Sequence, residues 1–153
     1  VGALGWIVDS EDSNGPVPFQ KVTPRPASFE VEIDGVRMPC QKPPWGQLTA
    51  VDSATGDIAW QRPIGITEGL PIEKQNTGRP GRAAAISTAG DLLFIASTDD
   101  NRLRALAAST GQELWSDQLD SRGNANPITY LGSDNRQYVA IVASDTVLTY
   151  ALP

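Results

Sequence analysis

Histidine is absent from this chain, and cysteine occurs once, as Cys40. Without histidine there can be no Ser-His-Asp or Cys-His machinery and no His-ligated zinc or iron within these residues. A single thiol can neither close an internal disulfide nor build a thiolate metal cage, and it leaves the redox compartment open. Long apolar runs are missing as well. None approaches the ~20 residues that cross a bilayer as a helix, so no membrane contact is expected from this segment. Positive charge is scarce: 12 Lys and Arg stand against 18 Asp and Glu. The net charge of -6 and pI near 4.5 argue against an electrostatic grip on nucleic acid or anionic lipid. The chain begins Val-Gly-Ala without a basic start or a signal-type apolar region, so any export signal is expected to lie outside it or to have been removed. Chemistry here has to rest on carboxylates, Lys or Arg, hydroxyls, or a cofactor.

Helical periodicity is also lacking over any helix-length window, whereas glycine (14) and proline (12) are plentiful. Residues 1–45 read as an irregular Pro-rich segment, because the four prolines of Ser10 to Phe29 each remove a backbone donor and fix φ. Two short strands fit there, Leu4 to Val8 and Phe29 to Ile33, the second ending at the hairpin-type pair Asp34-Gly35. From Gly46 onward the pattern is regular. Strands are expected at 47–51, 58–62, 83–87, 92–97, 102–107, 113–118, 127–131, 137–143 and 147–152, with turn signals between them.

A thirteen-residue pattern occurs twice, "LTAVDSATGDIAW" (Leu48 to Trp60) and "LRALAASTGQELW" (Leu103 to Trp115). Ala50 and Ala105, Thr55 and Thr110, Gly56 and Gly111, and Trp60 and Trp115 are each 55 positions apart. Short strands in groups of four with such a repeat predict an all-β fold, a partial β-propeller with four-stranded antiparallel blades. If strands are lettered A to D from the axis outward, residues 46–62 supply C and D of one blade. Residues 81–119 are then a full blade, and 124–153 supply A to C of the last. A blade ending on its third strand commonly receives the fourth from the N-terminus of the whole molecule. The Thr-Gly pairs make the C-to-D turns, glycine taking the left-handed conformation. Trp60 and Trp115 are read as packing surfaces between blades, since both hold the same repeat position.

The spacing A-x-D-x-x-T-G-x-x-x-W resembles the tryptophan-docking motif of the quinoprotein dehydrogenases, eight-bladed propellers that hold pyrroloquinoline quinone (PQQ). The first copy matches through Ala50, Asp52, Thr55, Gly56 and Trp60. The second keeps Ala105, Thr110, Gly111 and Trp115 but has Ala107 in place of the aspartate, so a hydrogen bond is expected to be lost from that turn. The strings "MPCQKPPWGQLTAVD", "STAGDLLFIASTDDNRLRAL", "NPITYLGSDNRQYVAIVA" and "YALP" resemble the C-terminal segment of the membrane-bound, glucose-dehydrogenase-like members. That resemblance covers roughly residues 36–153. Three departures stand out: Gly90-Asp91 where the family reads Gly-Gly, a short Ser144-Asp145-Thr146 link, and Arg79 and Arg82 in a loop usually richer in Asn and Gly.

The resemblance implies a periplasmic enzyme that oxidises an alcohol or aldose by hydride transfer to PQQ, with a divalent cation (Ca or Mg) polarising the quinone and a carboxylate as base. Nearly all of those parts lie earlier in the family than the matched segment. The chain therefore reads as a quarter to a third of a propeller that binds no cofactor and is inactive alone. No catalytic or metal-binding residue is assigned. Trp45, in "PPWG" just before a strand and outside the repeat, is the one candidate for the cofactor funnel. Asp99-Asp100, with Asn101, reads as a solvated turn, Arg79 and Arg82 as part of a solvated loop, and Cys40 as an ordinary small apolar residue. The expected partners are the remaining blades, or a second copy through exposed blade faces. The alternative reading is a non-catalytic propeller module for protein–protein contact.

Overall fold

The computed structural model describes residues 6–9, 19–22 and 30–152. Its contacts divide the chain into two units, Val1–Lys42 and Pro43–Pro153. The first unit contains two hairpins. Strand β1 (Trp6–Asp9) pairs antiparallel with β2 (Phe19–Val22), and β3 (Glu30–Ile33) with β4 (Val36–Pro39). Asp34 (φ 52°) and Gly35 (φ 79°) both take positive φ, the pairing that lets a two-residue turn follow the strand twist. The described residues of this stretch form four strands where one or two were expected. The reason is that both strands of a lone hairpin are edges, and the prolines of this stretch flank β2 instead of interrupting it. Leu4 and Gly5 of the expected first strand lie outside the described residues.

The second unit is a succession of antiparallel meanders. Strands β5 (Gln47–Val51) and β6 (Ile58–Pro63) form a two-stranded sheet. Strands β7 (Ile86–Ser87), β8 (Leu92–Ile95), β9 (Arg102–Ala107) and β10 (Glu113–Gln118) form a four-stranded sheet in the order β10-β9-β8-β7. Strands β11 (Ile128–Leu131), β12 (Gln137–Ala143) and β13 (Thr146–Ala151) form a third. Strand β7 is shorter than its apolar run suggests. Gly81 instead bridges Thr98, and the Ala84 amide donates to Asn126 Oδ1 (2.7 Å), so the residues before Ile86 are held by other partners.

The central sheet is covered on both faces, which is why β8 and β9 read as near-continuous apolar runs instead of alternating ones. On one face Ile95 and Leu106 pack with Ile64 and Leu48. On the other, Phe94 and Ala105 meet Val139, while Ala96 and Leu103 meet Leu119, Ile141 and Ala143. Leu103 is completely buried, and each such aliphatic side chain contributes about 1.5–3 kcal/mol of burial free energy. No helix among the described residues is long and apolar enough to cross a membrane.

Candidate functional site

The sheets of the second unit have two unlike ends. One carries tight turns, around Gly56, Asp91, Gly111 and Asn135. The other carries the long connections, 64–85 and 119–127, with the short turns 96–101 and 144–145 beside them. Long connections placed on a rigid sheet are where sites are usually built.

The 64–85 connection is folded onto this end by close backbone contact. A Cβ on Gly46 would lie 2.0 Å from the Arg79 carbonyl oxygen, and one on Gly78 would lie 2.1 Å from the Gly46 carbonyl oxygen. Only glycine allows these segments to cross so closely. The Trp45 amide donates to Thr77 O (2.7 Å), the Ile64 amide to Gly46 O (3.1 Å) and the Arg79 amide to Ile64 O (2.7 Å). Trp45, the funnel candidate, is thus half-buried at the long-connection end, with its backbone tied to this loop.

Charge pairs then fasten the loop to the central sheet. Arg79 grips Asp99 with two bonds, Nε to Oδ1 (2.6 Å) and a terminal nitrogen to Oδ2 (3.0 Å). Asp100 accepts from the Ile66 amide (2.8 Å) and the Thr98 hydroxyl (2.6 Å), and it pairs with Arg104. Arg104 also bonds Thr98 Oγ1 (2.9 Å) and Glu113 (3.0 Å). Glu68 pairs with Arg102. The side chains of Arg104 and Asp100 are only 2% and 3% exposed. The expectation that Asp99, Asp100 and Arg79 are solvated is therefore overturned: the loop folds over the turn, burying the Asp100 side chain and leaving those of Arg79 and Asp99 only 17% and 16% exposed. Arg82 does remain exposed. Burial pushes the Asp100 carboxyl up, but hydrogen bonding and charge from Arg104, with bonds from Thr98 and the Ile66 amide, outweigh it and leave the group below the usual range. Cys40 is single and exposed, not buried as a small apolar residue would be.

At the opposite end Trp60 joins two sheets. Its indole nitrogen donates to Ala108 O (2.8 Å), and its ring lies where a Cβ on Gly111 would fall, 2.6 Å away. Ala50 pairs with Trp60, and Ala105 with Trp115. In the first turn Asp52 Oδ1 accepts from the Ala54 amide (2.8 Å), and Thr55 Oγ1 from the Asp57 amide (3.2 Å); Gly56 has φ 80°. Thr110 repeats this with the Gln112 amide (3.3 Å), and Gly111 has φ 69°. Ala107 cannot copy Asp52, so the bond from within the turn is missing, but the Ser109 amide finds another acceptor. Asp91 Oδ1 accepts from the Ser109 amide (2.8 Å) and its Oδ2 from the Ser109 hydroxyl (2.6 Å). Ser109 stands where Ala54 stands in the first copy, so the aspartate that departs from the family's Gly-Gly replaces the one missing from the motif. Trp115 meets Tyr150 edge-on, with ring centroids 5.3 Å apart.

The family profile described as "PQQ: Glucose/ethanol/alcohol dehydrogenase, beta-propeller domain" matches residues 7–139. The chain belongs to this PQQ-dependent family. The match begins well before residue 36, so the hairpin unit is part of the likeness. The chain is 37% identical over 91% of its length to a probable quinate dehydrogenase (quinone) of Xanthomonas campestris pv. juglandis. It is 38% identical over 76% of its length to the quinoprotein glucose dehydrogenase of Escherichia coli. Identity is also 38% over 76% to the glycerol dehydrogenase large subunit of Gluconobacter oxydans. It spans only 20%, 16% and 18% of these relatives.

The described residues do not by themselves fit PQQ and its metal. They hold no group of three or more acidic, Cys or His residues able to bind a metal ion. The guanidiniums of Arg79 and Arg104 are already neutralised by carboxylates and are not free to meet an anionic quinone.

Proposed function

We propose that this chain is the C-terminal portion of a periplasmic PQQ-dependent dehydrogenase that oxidises an alcohol or aldose, and that it is inert without the remaining blades. The family match over residues 7–139, on a chain spanning a fifth or less of its relatives, carries this reading. Held by the other blades, PQQ would supply the hydride acceptor and a Ca or Mg ion the polarising charge. The residues of this chain have supporting tasks. Arg79–Asp99 and Asp100–Arg104 hold the 64–85 connection as a fixed wall at the long-connection end, and Trp60 keeps adjoining blades in register. Proton transfer, metal ligation and the floor beneath the cofactor belong to the other blades. No observation favours a purely protein-binding module.

The test compares the chain alone with the chain joined to the preceding blades of a relative. Titration with PQQ and calcium, followed by Trp fluorescence, should show no saturable binding to the chain alone. Dye-linked oxidation of glucose, glycerol or quinate should appear only in the joined protein. Stoichiometric PQQ binding by the chain alone would refute its inertness. A joined protein that folds and binds PQQ yet oxidises none of the three would refute the dehydrogenase assignment.

A further inference from the structure

Arg82 differs from the arginines around it. Arg79, Arg102, Arg104 and Arg122 each lie within ion-pair distance of a carboxylate. Arg82 is exposed and makes no ion pair among the described residues. Asp99, whose amide donates to Pro80 O (3.1 Å), is already gripped by Arg79 and lies 3.8 Å from Arg122. Two guanidiniums thus share that carboxylate. Arg82 is left as uncompensated positive charge on a chain whose net charge is -6.

The backbone beneath it is fixed. Gly81 bridges Thr98, the Arg82 amide donates to Ser97 O (3.1 Å), and the Ala84 amide donates to Asn126 Oδ1 (2.7 Å). The last of these bonds also locates the residue. It joins the segment entering β7 to the segment entering β11, and these are the first strands of their sheets. First strands line the central channel of a propeller, so Arg82 stands at the mouth of that channel, on the long-connection end. Ala83, Ala84 and Ala85 follow it, and their small side chains crowd the guanidinium little.

We propose that Arg82 receives the carboxylate of a hydroxy-acid substrate at the channel mouth, so that the enzyme prefers an anionic alcohol to a neutral one. The substrate's presence rests on the dehydrogenase reading above; the free guanidinium rests on this chain's own contacts. A guanidinium offers a planar fork that matches a carboxylate with two parallel hydrogen bonds, and a fixed stem reduces the freedom lost in making them. The carboxylate takes no part in the oxidation. It anchors one end of the molecule, so Arg82 is a specificity residue and not a participant in the chemical step. Arg82 is also one of the positions where this loop departs from the family pattern, which makes the preference a property of this chain.

The probes are quinate, a polyol bearing a carboxylate, and methyl quinate, the same ring without the charge. Added at low salt to the full 153-residue chain, quinate should move the Arg82 Nε–H resonance. The expected midpoint is about 10–100 mM, the range of a single charge-assisted pair. Methyl quinate should leave that resonance in place, and the exposed Arg136 should move less than Arg82. In the joined protein, Arg82→Gln should raise the quinate KM about tenfold or more with kcat kept. Methyl quinate should change by less than about twofold, and Arg82→Lys, which keeps the charge and loses the fork, should fall between. No quinate shift at Arg82, an equal shift at Arg136, or equal losses for the two substrates would overturn the proposal. So would an Arg82→Gln protein with weakened PQQ affinity and an unchanged quinate KM, because the guanidinium would then serve the cofactor. The resonance shift needs no turnover, so this proposal and the dehydrogenase reading fail separately.

Discussion

The substitution of Asp91 for the missing turn aspartate can be weighed by a double-mutant cycle with Ala107. Asp91 sits at φ 61° and supplies both oxygens to Ser109, whose turn carries the carbonyl that Trp60 bonds. Removing such a capping carboxylate costs about 1 kcal/mol. Asp91→Gly alone understates this, because glycine at positive φ relieves a strain of about the same size. The informative quantity is the effect of Ala107→Asp in each background. With Asp91 present, a second carboxylate would compete for the same Ser109 amide and repel the first, so no gain is expected. With Asp91→Gly, Asp at position 107 should cap the turn as Asp52 caps its own, giving back about 1 kcal/mol. A coupling of about 1–2 kcal/mol follows, independent of what glycine does to the backbone. Urea unfolding of the four proteins, followed by Trp fluorescence, measures it. If Ala107→Asp stabilises both backgrounds equally, Asp91 is not the substitute.

Two further outcomes follow from the buried charges and from Tyr150. Arg104→Met should destabilise the chain by about 3–5 kcal/mol, because it strands the Asp100 carboxylate away from water, whereas Arg104→Met with Asp100→Leu should recover much of the loss. Since the folded Asp100 carboxyl lies below its unfolded value, its contribution is present above the ordinary aspartate range and is lost as pH falls through the folded value. Asp100→Asn should therefore flatten the acid limb of a stability–pH curve, and an unchanged limb would count against it. The Tyr150 phenol is pushed up to about 12, first by burial and then by its hydrogen bond to Asp117 (2.8 Å) and nearby acidic charge. A group raised in the folded state stabilises below its unfolded value, and here that stability fades as pH rises from the usual 10.0 toward 12. Tyr150→Phe should remove this alkaline loss along with one late phase in phenolate absorbance.

Local chemistry made much of this molecule readable from its order of residues. Strand period two, Thr-Gly and Asp-Gly turns and the 55-residue spacing specify hairpins, because each is settled by residues a few positions apart. All-β architecture was legible for that reason, and the PQQ-dependent family through the resemblance of the repeated motif and the longer strings. What lay hidden joins residues distant in sequence. Arg79 and Asp99 are 20 positions apart, Ile66 and Asp100 34, and Asp91 and Ser109 18. Nothing near Asp99-Asp100 signals that a glycine-rich loop will cover it, so a pair that reads as a wet turn became a set of partly to fully buried ion pairs. Nothing near Ala107 signals that a neighbouring hairpin will lend a carboxylate. Nor does the identical Thr-Gly-x-x-x-Trp spelling tell Trp60 from Trp115. Only the packing of sheets decides which indole finds a turn beneath it, since Trp60 meets Ala108 and Gly111 of the adjoining sheet and not its own sequence neighbours.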